Sequence, residues 1–400
     1  MHLAHLSLTN FRLFHRLDVE IPPRFLLLTG ANAQGKTSLL EAIYFLATFT
    51  SFQAQHDRQL INFLALREDL PVTRLLADFH QGGHSRRLEV RIILENNGNG
   101  GARLRKEILL DGVRRPAHDA VGQFAAVIFL PQMARVVEGA PEERRRYMNL
   151  AISQAFPGYA RLLGEYQQVL TQRNALLKQI AESGRGRDQL DYWDELLADK
   201  GAQLMYARIK AVEELERIVT GIHLRLTRGK EELRLMYMPA YDPQAQRAGQ
   251  YALPIHTTVV RRAMGQDEIR KGFIERLQAL RNEEILRGVS TIGPHRDDLR
   301  FLANQVDLGD FGSRGQIRTL LLALKVAEAA WLKECKGEFP VVLLDEILAE
   351  LDIQRRNDLL YALSECEQVL CTSTDPSMFS PDFVEQCTVW QVVGGQVSSL

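Results

Sequence analysis

The chain has 400 residues, 46% hydrophobic and 25% charged, a composition typical of a globular protein with a large core and two or three subdomains. Its formal net charge of -1 excludes binding of polyanions through overall charge, so any nucleic-acid contact would need local basic patches. No apolar run approaches the ~20 residues that span a bilayer, and four cysteines without C-x-x-C spacing argue against a disulfide framework or a metal site, so we expect a cytoplasmic protein with no membrane partner.

Residues 1–20 alternate apolar and polar side chains, which predicts two short strands around Asn10-Phe11-Arg12. The apolar residues 24–29 then predict a buried strand, and residues 38–43 predict a helix with an apolar stripe. Arg12 precedes the connection between that strand and helix. It could reach a ligand bound there, although a lone arginine is more often a solvated hairpin charge.

The connection itself, Gly30-Ala31-Asn32-Ala33-Gln34-Gly35-Lys36-Thr37, fits the phosphate-loop pattern G-x-x-x-x-G-K-[ST]. Glycines allow backbone N–H groups to curl around a phosphate at a helix N-terminus. Lys36 would contact the β- and γ-oxygens and Thr37 would bind Mg²⁺. A chance match in a glycine-rich turn is disfavoured by the flanking strand and helix. The candidate nucleotide contacts are Gly30, Ala31, Asn32, Ala33, Gln34, Gly35, Lys36, Thr37 and Ser38.

Residues 75–79, 86–94 and 104–110 predict an antiparallel meander, with turns at 96–101 and 111–112. The meander is rich in basic residues, and regular alternation would place much of this charge on one face. On the residues alone, a solvated face partly neutralised by Glu89, Glu95 and Glu107 is favoured over contact with DNA. The candidate DNA contacts are Arg86, Arg87, Arg103, Arg105, Lys106, Arg114 and Arg115.

The apolar run 125–130, ended by Pro131-Gln132, predicts a central strand leading to the active edge of a sheet. Gln132 could there coordinate Mg²⁺ or sense the γ-phosphate. Pro141 with acids behind it predicts a helix start. The arginines at 144–146 either pair with Glu142 and Glu143 or face phosphate.

Apolar residues at helical spacing over 159–180 and 190–222, on either side of a Gly184-Arg185-Gly186 hinge, predict an antiparallel helical hairpin. Its second helix would span roughly 50 Å, as a lid or stub. Residues 231–238 predict a strand, 242–254 a loop and 255–287 another helix. In the following segment, 291–299, His295, Asp297 and Asp298 suggest a metal or acid–base site. A turn held by Asp and Arg hydrogen bonds is preferred after Gly293-Pro294.

Residues 341–346 form an apolar run ending in Asp345-Glu346, as expected for a buried parallel strand whose C-terminal end meets a nucleotide. Asp345 would hold Mg²⁺, and Glu346 would orient or deprotonate the attacking water. Either carboxylate is weak support by itself. Together with the phosphate loop they are strong support, because phosphoryl transfer needs both a metal holder and a water positioner.

Ser313-Arg314-Gly315-Gln316 precedes a predicted helix over 317–331, which Ser313 could cap. A plain capped helix is the alternative. Beside the other motifs, the segment resembles the signature of ABC-type ATPases, which presents a helix N-terminus to the γ-phosphate held by the opposite subunit. Ser313, Gly315 and Gln316 would then share in catalysis. Residues 349–352 resemble the loop that crosses that dimer interface. Residues 371–375 lack the switch His of many such ATPases, which leaves Thr372, Ser373 or Asp375 as γ-phosphate sensor.

With these motifs the chain resembles, over essentially its full length, the RecF family of bacterial recombination-mediator ATPases, which is related to SMC heads. Gln132 and Asn149 depart from the family pattern, which usually has acids there. The matching segments are Asn10–Arg12, Gly30–Thr37, Pro131, Gly139–Tyr147, Gly293–Leu299, Ser313–Gln316 and Asp345–Asp352. The resemblance implies an α/β ABC-type P-loop ATPase head with mixed and parallel sheets. Residues 1–150 and 289–400 would form its halves, and 151–288 an inserted helical lid.

The resemblance also implies a weak DNA-dependent ATPase that works as a homodimer. Two subunits would sandwich two ATP molecules with Mg²⁺, close over double-stranded DNA near a single-strand gap, and assist RecO and RecR in loading RecA at the nucleoid. Arg12 would belong to the nucleotide site and the basic meander to the DNA face. The alternatives are an ABC transporter ATPase subunit, which would be more compact, and a nucleotide-bound DNA scaffold without turnover.

Overall fold

The computed structural model describes residues 1–97, 101–241 and 264–399. These residues form two compact units. The first consists of Met1–Met133, Gln154–Phe156 and Leu322–Leu400, and the second of Ala134–Ser153 and Pro157–Leu321. The division into 1–150, 151–288 and 289–400 stays a prediction.

The strands and helices are numbered in chain order. The strands are β1 (His2–Phe11), β2 (Phe14–Glu20), β3 (Arg24–Thr29), β4 (Val72–Gln81), β5 (His84–Asn97), β6 (Gly101–Leu110), β7 (Val113–Arg114), β8 (Ala126–Phe129), β9 (Leu233–Met238), β10 (Asp298–Ala303), β11 (Val306–Asp307), β12 (Val341–Leu344), β13 (Gln368–Ser373), β14 (Cys387–Val393) and β15 (Gln396–Ser399). The helices are α1 (Lys36–Thr48), α2 (Ala117–Ala120), α3 (Arg135–Glu138), α4 (Pro141–Ala155), α5 (Tyr159–Ser183), α6 (Leu190–Leu226), α7 (Gln266–Arg287), α8 (Leu308–Phe311), α9 (Arg314–Lys336), α10 (Ile353–Ala362) and α11 (Pro381–Glu385).

One sheet of the first unit is antiparallel, with the order β2-β1-β4-β5-β6-β7. Its strands alternate as a half-buried sheet should: Leu88, Val90 and Ile92 are fully buried, while Arg87 and Arg91 point to the opposite face. The predicted strands in residues 1–20 and the predicted meander are confirmed. Of the turn predicted at 96–101, residues 98–100 lie outside the described residues.

The other sheet of the first unit has the order β15-β14-β3-β13-β12-β8, and β14, β3, β13, β12 and β8 run parallel. The C-terminal ends of β3, β13 and β12 therefore meet at one edge. The prediction that residues 125–130 form a central strand is wrong in position, because β8 is the edge strand in this order. Its continuous apolar sequence reflects burial of the whole strand rather than a central place.

Helix α1 joins the two sheets into one core. Leu39, Ile43 and Phe45 of α1 are fully buried in one cluster with Leu88 of the antiparallel sheet and Leu343 of the parallel sheet. Each such side chain stabilises the fold by about 1.5–3 kcal/mol. This packing fixes α1, and with it the loop that begins the helix, against both sheets.

In the second unit, α5 and α6 form the predicted antiparallel hairpin. Helix α6 has 37 residues and spans about 55 Å. Helix α7 packs on both through a buried charge cluster, in which Arg173 contacts Asp194 at 2.7 Å and Glu284 at 2.8 Å. Because a buried charge without its partner is strongly destabilising, these pairs tie the three helices together.

Strands β9, β10 and β11 form a small antiparallel sheet in the second unit. The strand predicted over 231–238 is confirmed as β9. The loop predicted over 242–254 and residues 255–263 of the helix predicted over 255–287 lie outside the described residues. The described helix begins at Gln266 and ends at Arg287 as predicted. Among the described helices, none combines the length and the apolar character needed to cross a bilayer.

Candidate nucleotide site

The glycine-rich loop lies at the C-terminal end of β3 and leads directly into α1, as predicted. Gly30 has φ 144°, and a Cβ there would lie 2.4 Å from the Val392 carbonyl oxygen. Gly35 has φ 114°, and its Cβ would lie 3.2 Å from the Phe14 ring. Both positions favour glycine, since a side chain would be strained at either φ angle, and at Gly30 it would also collide with the Val392 carbonyl. The loop backbone is therefore held close to the sheet edge.

Lys36, the first residue of α1, is buried inside the loop and is 3% exposed. Its Nζ donates to the carbonyl oxygens of Gly30 and Ala31 at 2.8 and 3.0 Å. The same Nζ lies 3.5 Å from Glu346 Oε1. A buried ammonium needs such partners, and these contacts hold it at the centre of the loop.

Asp345 follows β12 and meets the loop from the opposite side of β13. Thr37 Oγ1 donates a hydrogen bond to Asp345 Oδ1 at 2.9 Å. Burial raises the pKa of Asp345, while the hydrogen bonds from Thr37 and Thr372 act in the opposite direction. The phosphate loop and the Asp-Glu strand, some 300 residues apart in the chain, thus form one site.

Thr372, near the C-terminal end of the intervening strand β13, is 1% exposed and links the two carboxylate residues. Its hydroxyl donates to Asp345 Oδ1 and accepts from the Glu346 N–H, both at 2.9 Å. Ser373 and Asp375 instead close a local turn: the Ser373 hydroxyl donates to the Asp375 carbonyl oxygen and accepts from Asp375 N. The linking role of Thr372 was missed from the sequence. No sequence signal could have shown it, because the strand order that places β13 beside β12 does not follow from the motifs.

Glu346 has φ 52°, a left-handed backbone conformation that is unusual for a side chain other than glycine. The hydrogen bond from its N–H to Thr372 holds this turn. As a result the Glu346 carboxylate turns towards Lys36, while remaining 41% exposed.

This set of side chains fits a magnesium nucleotide. The loop amides and Lys36 suit a polyphosphate, and the buried Asp345 beside the Thr37 hydroxyl offers the hard oxygen ligands that Mg²⁺ prefers. Of the other loop residues, Ala31, Asn32 and Ala33 are exposed, and Ser38 is half-buried. Gln34 is fixed to the β14–β15 turn, where its side-chain oxygen accepts from Gly394 N at 2.7 Å.

Arg12 contacts helix α1, and Gln132 follows strand β8. Two guanidinium nitrogens of Arg12 each lie 2.7 Å from the fully buried Glu41 carboxylate of α1. Arg12 is therefore not the solvated hairpin charge that the residues alone favoured. Gln132 is exposed in the turn of 3-10 helix after β8. Since Phe129 of β8 accepts a hydrogen bond from Asp345 N, Gln132 follows a strand end at the site edge.

Ser313 and Gln316, in the second unit, form a reciprocal cap at the start of α9. The Ser313 hydroxyl accepts from Gln316 N at 3.3 Å, and the Gln316 side chain accepts from Ser313 N at 3.0 Å. This is a capping box with Gln at the third helical position. A Cβ on Gly315 would meet only Ser313 Oγ, at 4.0 Å. The predicted cap is confirmed, and the helix begins at Arg314.

The segment after Gly293-Pro294 is clamped by hydrogen bonds rather than arranged as a metal site. The fully buried Asp297 pairs with Arg208 at 2.8 Å. Arg144 pairs with Asp298 at 2.6 Å, so it does not follow either of the predictions for the arginines at 144–146. Asn149 Oδ1 accepts from Tyr159 at 2.9 Å and from Arg208 at 3.0 Å. The preferred interpretation of this segment, a turn held by Asp and Arg, is confirmed.

The basic meander residues divide between the two faces of the antiparallel sheet. Arg87, Arg103, Arg105 and Arg114 lie on the face opposite the core. Most of the candidates have acidic partners: Arg86 with Asp111, Arg87 with Asp78, Arg105 with Glu95 and Glu107, Lys106 with Asp57, and Arg114 with Glu107. Within the described residues, only Arg103 and Arg115 of this set lack an acidic partner within 4 Å. Much of the basic charge is therefore already neutralised.

Comparison with known proteins decides the family. The family model described as RecF/RecN/SMC N terminal domain matches residues 2–395. The DNA replication and repair protein RecF of Chloroflexus aggregans is 39% identical over 99% of both chains, and that of Herpetosiphon aurantiacus is 37% identical over 99% of both. The chain belongs to the RecF family.

Solved structures agree with this assignment. A RecF-ATP structure of the recombination mediator protein in the RecFOR pathway has a TM-score of 0.83 at 29% identity, covering 100% of this chain and 97% of that one. An SMC head bound to the C-winged helix domain of ScpA has a TM-score of 0.50 at 14% identity, covering 100% and 98%, and so shares the fold alone. The predicted fold class, an ABC-type ATPase head, is confirmed.

Proposed function

We propose that this RecF family member is an ATP-driven clamp that acts on DNA in replication and recombinational gap repair. ATP binding closes two copies of the chain over double-stranded DNA near a single-strand gap, and slow hydrolysis releases them. The observation that carries the proposal is the hydrogen bond between Thr37 and Asp345, because it unites the phosphate loop with the metal-holding carboxylate.

Within one copy, each residue of the site has a role that follows from its contacts. Lys36 binds the β- and γ-phosphate oxygens in exchange for the carbonyls of Gly30 and Ala31. Thr37 and Asp345 hold Mg²⁺, which when bound neutralises charge on the transferring phosphoryl group. Glu346 orients or deprotonates the attacking water. Arg12 is held by Glu41 and belongs to the nucleotide site, and Ser38 lines the loop. Gln132 is a further candidate for contact with the metal or the γ-phosphate.

The second copy supplies the Ser313–Gln316 turn. A helix N-terminus carries unpaired backbone N–H groups and a partial positive charge, which suit the γ-phosphate of the opposite subunit. Because each site then needs both copies, dimerisation depends on ATP.

DNA binds the basic meander in this proposal, and RecO, RecR and RecA act with the clamp. The support for RecO and RecR is that structures of RecF relatives are described as belonging to the RecFOR pathway, whereas RecA follows only from the family resemblance. Among the meander residues, Arg103 and Arg115 are the strongest candidates, since no acid among the described residues lies within ion-pair distance of either. Contacts to phosphate of this kind weaken steeply as salt concentration rises.

Light scattering of the protein with a non-hydrolysable ATP analogue, with ADP and with neither tests the clamp. We expect a dimer with the analogue and gapped DNA, a monomer with ADP, and loss of the dimer in Lys36→Arg. A monomer under all conditions would refute the clamp. A DNA-bound dimer that releases no phosphate from ATP would support the scaffold without turnover. The full-length match to RecF proteins speaks against the transporter alternative.

A further inference from the structure

The side-chain amide of Gln316 is held at both of its polar atoms. Its oxygen accepts from Ser313 N, and its nitrogen donates to Glu231 Oε1 at 3.0 Å. Turning the amide over would set its NH₂ against the Ser313 N–H and its oxygen against the Glu231 carboxylate, which are two repulsive contacts. Glu231 therefore selects the one orientation in which Gln316 can cap the turn.

Glu231 is anchored in turn at the C-terminal end of α6. Its Oε2 lies 3.2 Å from Nε2 of His223, which is fully buried. Within the described residues, His223 Nδ1 has no hydrogen-bond partner, so the proton of the neutral ring belongs on Nε2, where the carboxylate accepts it. The Glu231 N–H donates to Thr227 Oγ1 at 3.3 Å, which fixes the backbone as well.

The turn that Glu231 supports presents donors that the described protein does not use. In the described part of the chain, the backbone N–H groups of Arg314 and Gly315 have no acceptor, since the first helical bond runs from Ile317 to Ser313. The N–H groups of Ser313 and Gln316 are occupied by the reciprocal cap. The direction of the remaining N–H groups therefore depends on the cap, and the cap depends on the orientation of Gln316.

We propose that Glu231 is a positioning residue for the Ser313–Gln316 turn and that it acts only through Gln316. This inference rests on the proposed function, which assigns the turn to the nucleotide of the second copy. It adds a connection between that turn and the long helix α6. A change at the end of α6 would reach the turn through His223, Glu231 and Gln316.

The test is a double-mutant cycle on ATPγS-driven dimerisation, measured by sedimentation. We expect Glu231→Ala to weaken the dimer roughly tenfold, as loss of a charge-assisted hydrogen bond would. Binding of labelled nucleotide to the monomer should change by less than about twofold. In the Gln316→Ala background the further loss should vanish. Glu231→Gln keeps an acceptor and should restore dimerisation to within about threefold.

Glu232→Ala is the matched control, because Glu232 is the adjacent acid, is 57% exposed and pairs with Arg234 at the surface. It should dimerise as the unmodified chain does. If the losses of the two single variants multiply in the Glu231→Ala/Gln316→Ala double variant, the positioning role is wrong. It is also wrong if Glu231→Ala dimerises as the unmodified chain does. An unmodified chain that stays monomeric would contradict the proposed function instead. Amide hydrogen exchange over 313–317, faster in Glu231→Ala than in Glu232→Ala, would then still support the link.

Discussion

At the scale of single residues, the Thr372 hydroxyl shows how one group can organise a catalytic edge. A hydroxyl has one proton to donate, and Thr372 gives it to Asp345 while its oxygen accepts the Glu346 N–H. The same group therefore fixes the Asp345 carboxylate and the left-handed turn that directs the Glu346 side chain. With its proton committed to Asp345, the Thr372 hydroxyl links the Asp345 carboxylate to the backbone of Glu346.

Replacing Thr372 by Val should lower ATP turnover about tenfold, because Val keeps the shape but leaves the buried Glu346 N–H unpaired, a cost of roughly 1–3 kcal/mol. Nucleotide affinity should change less, since the loop contacts remain. Steady-state hydrolysis and titration with a fluorescent analogue measure the two effects. Thr372→Ser should remain near the unmodified rate, and Ser373→Ala, which affects only the local turn, is the control. Equal rates for Thr372→Val and Thr372→Ser would contradict the linking role.

His295 makes stability depend on pH. Burial, with Arg296, Arg145 and Arg208 nearby, lowers the pKa of His295 to about 4. Since the unfolded value is about 6.5, the unfolded chain binds a proton between these values and the folded chain does not. The stability contributed by the neutral ring is fully present above pH 6.5 and is lost as the pH falls. The free energy of unfolding is therefore lower by about 2 kcal/mol at pH 5. Urea unfolding measures the drop in the free energy of unfolding between pH 7.5 and pH 5. This drop should be smaller for His295→Gln than for the unmodified chain and unchanged for His84→Gln, a variant at an exposed histidine. Identical pH dependence in all three proteins would refute the assignment.

At the residue scale, the sequence allowed prediction of the functional groups that belong to a recognisable motif. Lys36, Thr37, Asp345 and the Ser313 cap lie in the contexts that their spacing indicated. The partners that hold them could not be predicted. Glu41 and Glu231 belong to no motif, and Thr372 was a candidate only as a γ-phosphate sensor. All three reach their partners only through tertiary packing. Polar groups of this kind look like ordinary surface residues until the fold shows that they are enclosed.

At the scale of elements, the spacing of apolar residues identified strands and helices, but it did not show which strands lie next to one another. The apolar run that became β8 indicated burial, which a covered edge strand and a central strand share. The alternation in the meander was likewise clear, and partial neutralisation by Glu95 and Glu107 was predicted. The pairs of Arg86 with Asp111 and of Arg87 with Asp78 were not predicted. Register decides such pairs, since Arg105 lies opposite Ile93 and beside Glu95 and Glu107.

The pairing pattern of the meander yields a prediction that separates contact with DNA from a solvated face. Arg103→Ala should reduce affinity for duplex DNA about threefold and lower the salt dependence by about one released ion, because Arg103 has no acidic partner among the described residues. Arg87→Ala, at an arginine neutralised by Asp78 at 2.6 Å, should have a smaller effect. Fluorescence anisotropy across a salt series measures both, with ATP binding as the check on folding. Equal and negligible effects would assign the meander to the solvated face.

At the scale of the whole molecule, the site depends on a chain that brings its two ends into one unit. Residues 24–37 and 341–373 contribute adjacent strands of one parallel sheet, although the second unit lies between them in sequence. The motifs suggested this closure, but the strand order did not follow from them. Placing β13 between β3 and β12 is what sets Thr372 between the loop and the carboxylates.

This arrangement predicts opposite effects for the two adjacent carboxylates on the lifetime of the assembled clamp. Asp345→Asn should weaken ATP-driven dimerisation, because it removes the charge that holds Mg²⁺ beside Thr37. Glu346→Gln should leave nucleotide binding intact and slow hydrolysis, so the dimer on gapped DNA should persist at least about tenfold longer after free ATP is removed. Dimer decay followed by light scattering, with phosphate release in parallel, measures both. If Glu346→Gln dissociates as fast as the unmodified chain while its hydrolysis is slowed, release is not timed by hydrolysis, and the clamp cycle proposed here fails at that step.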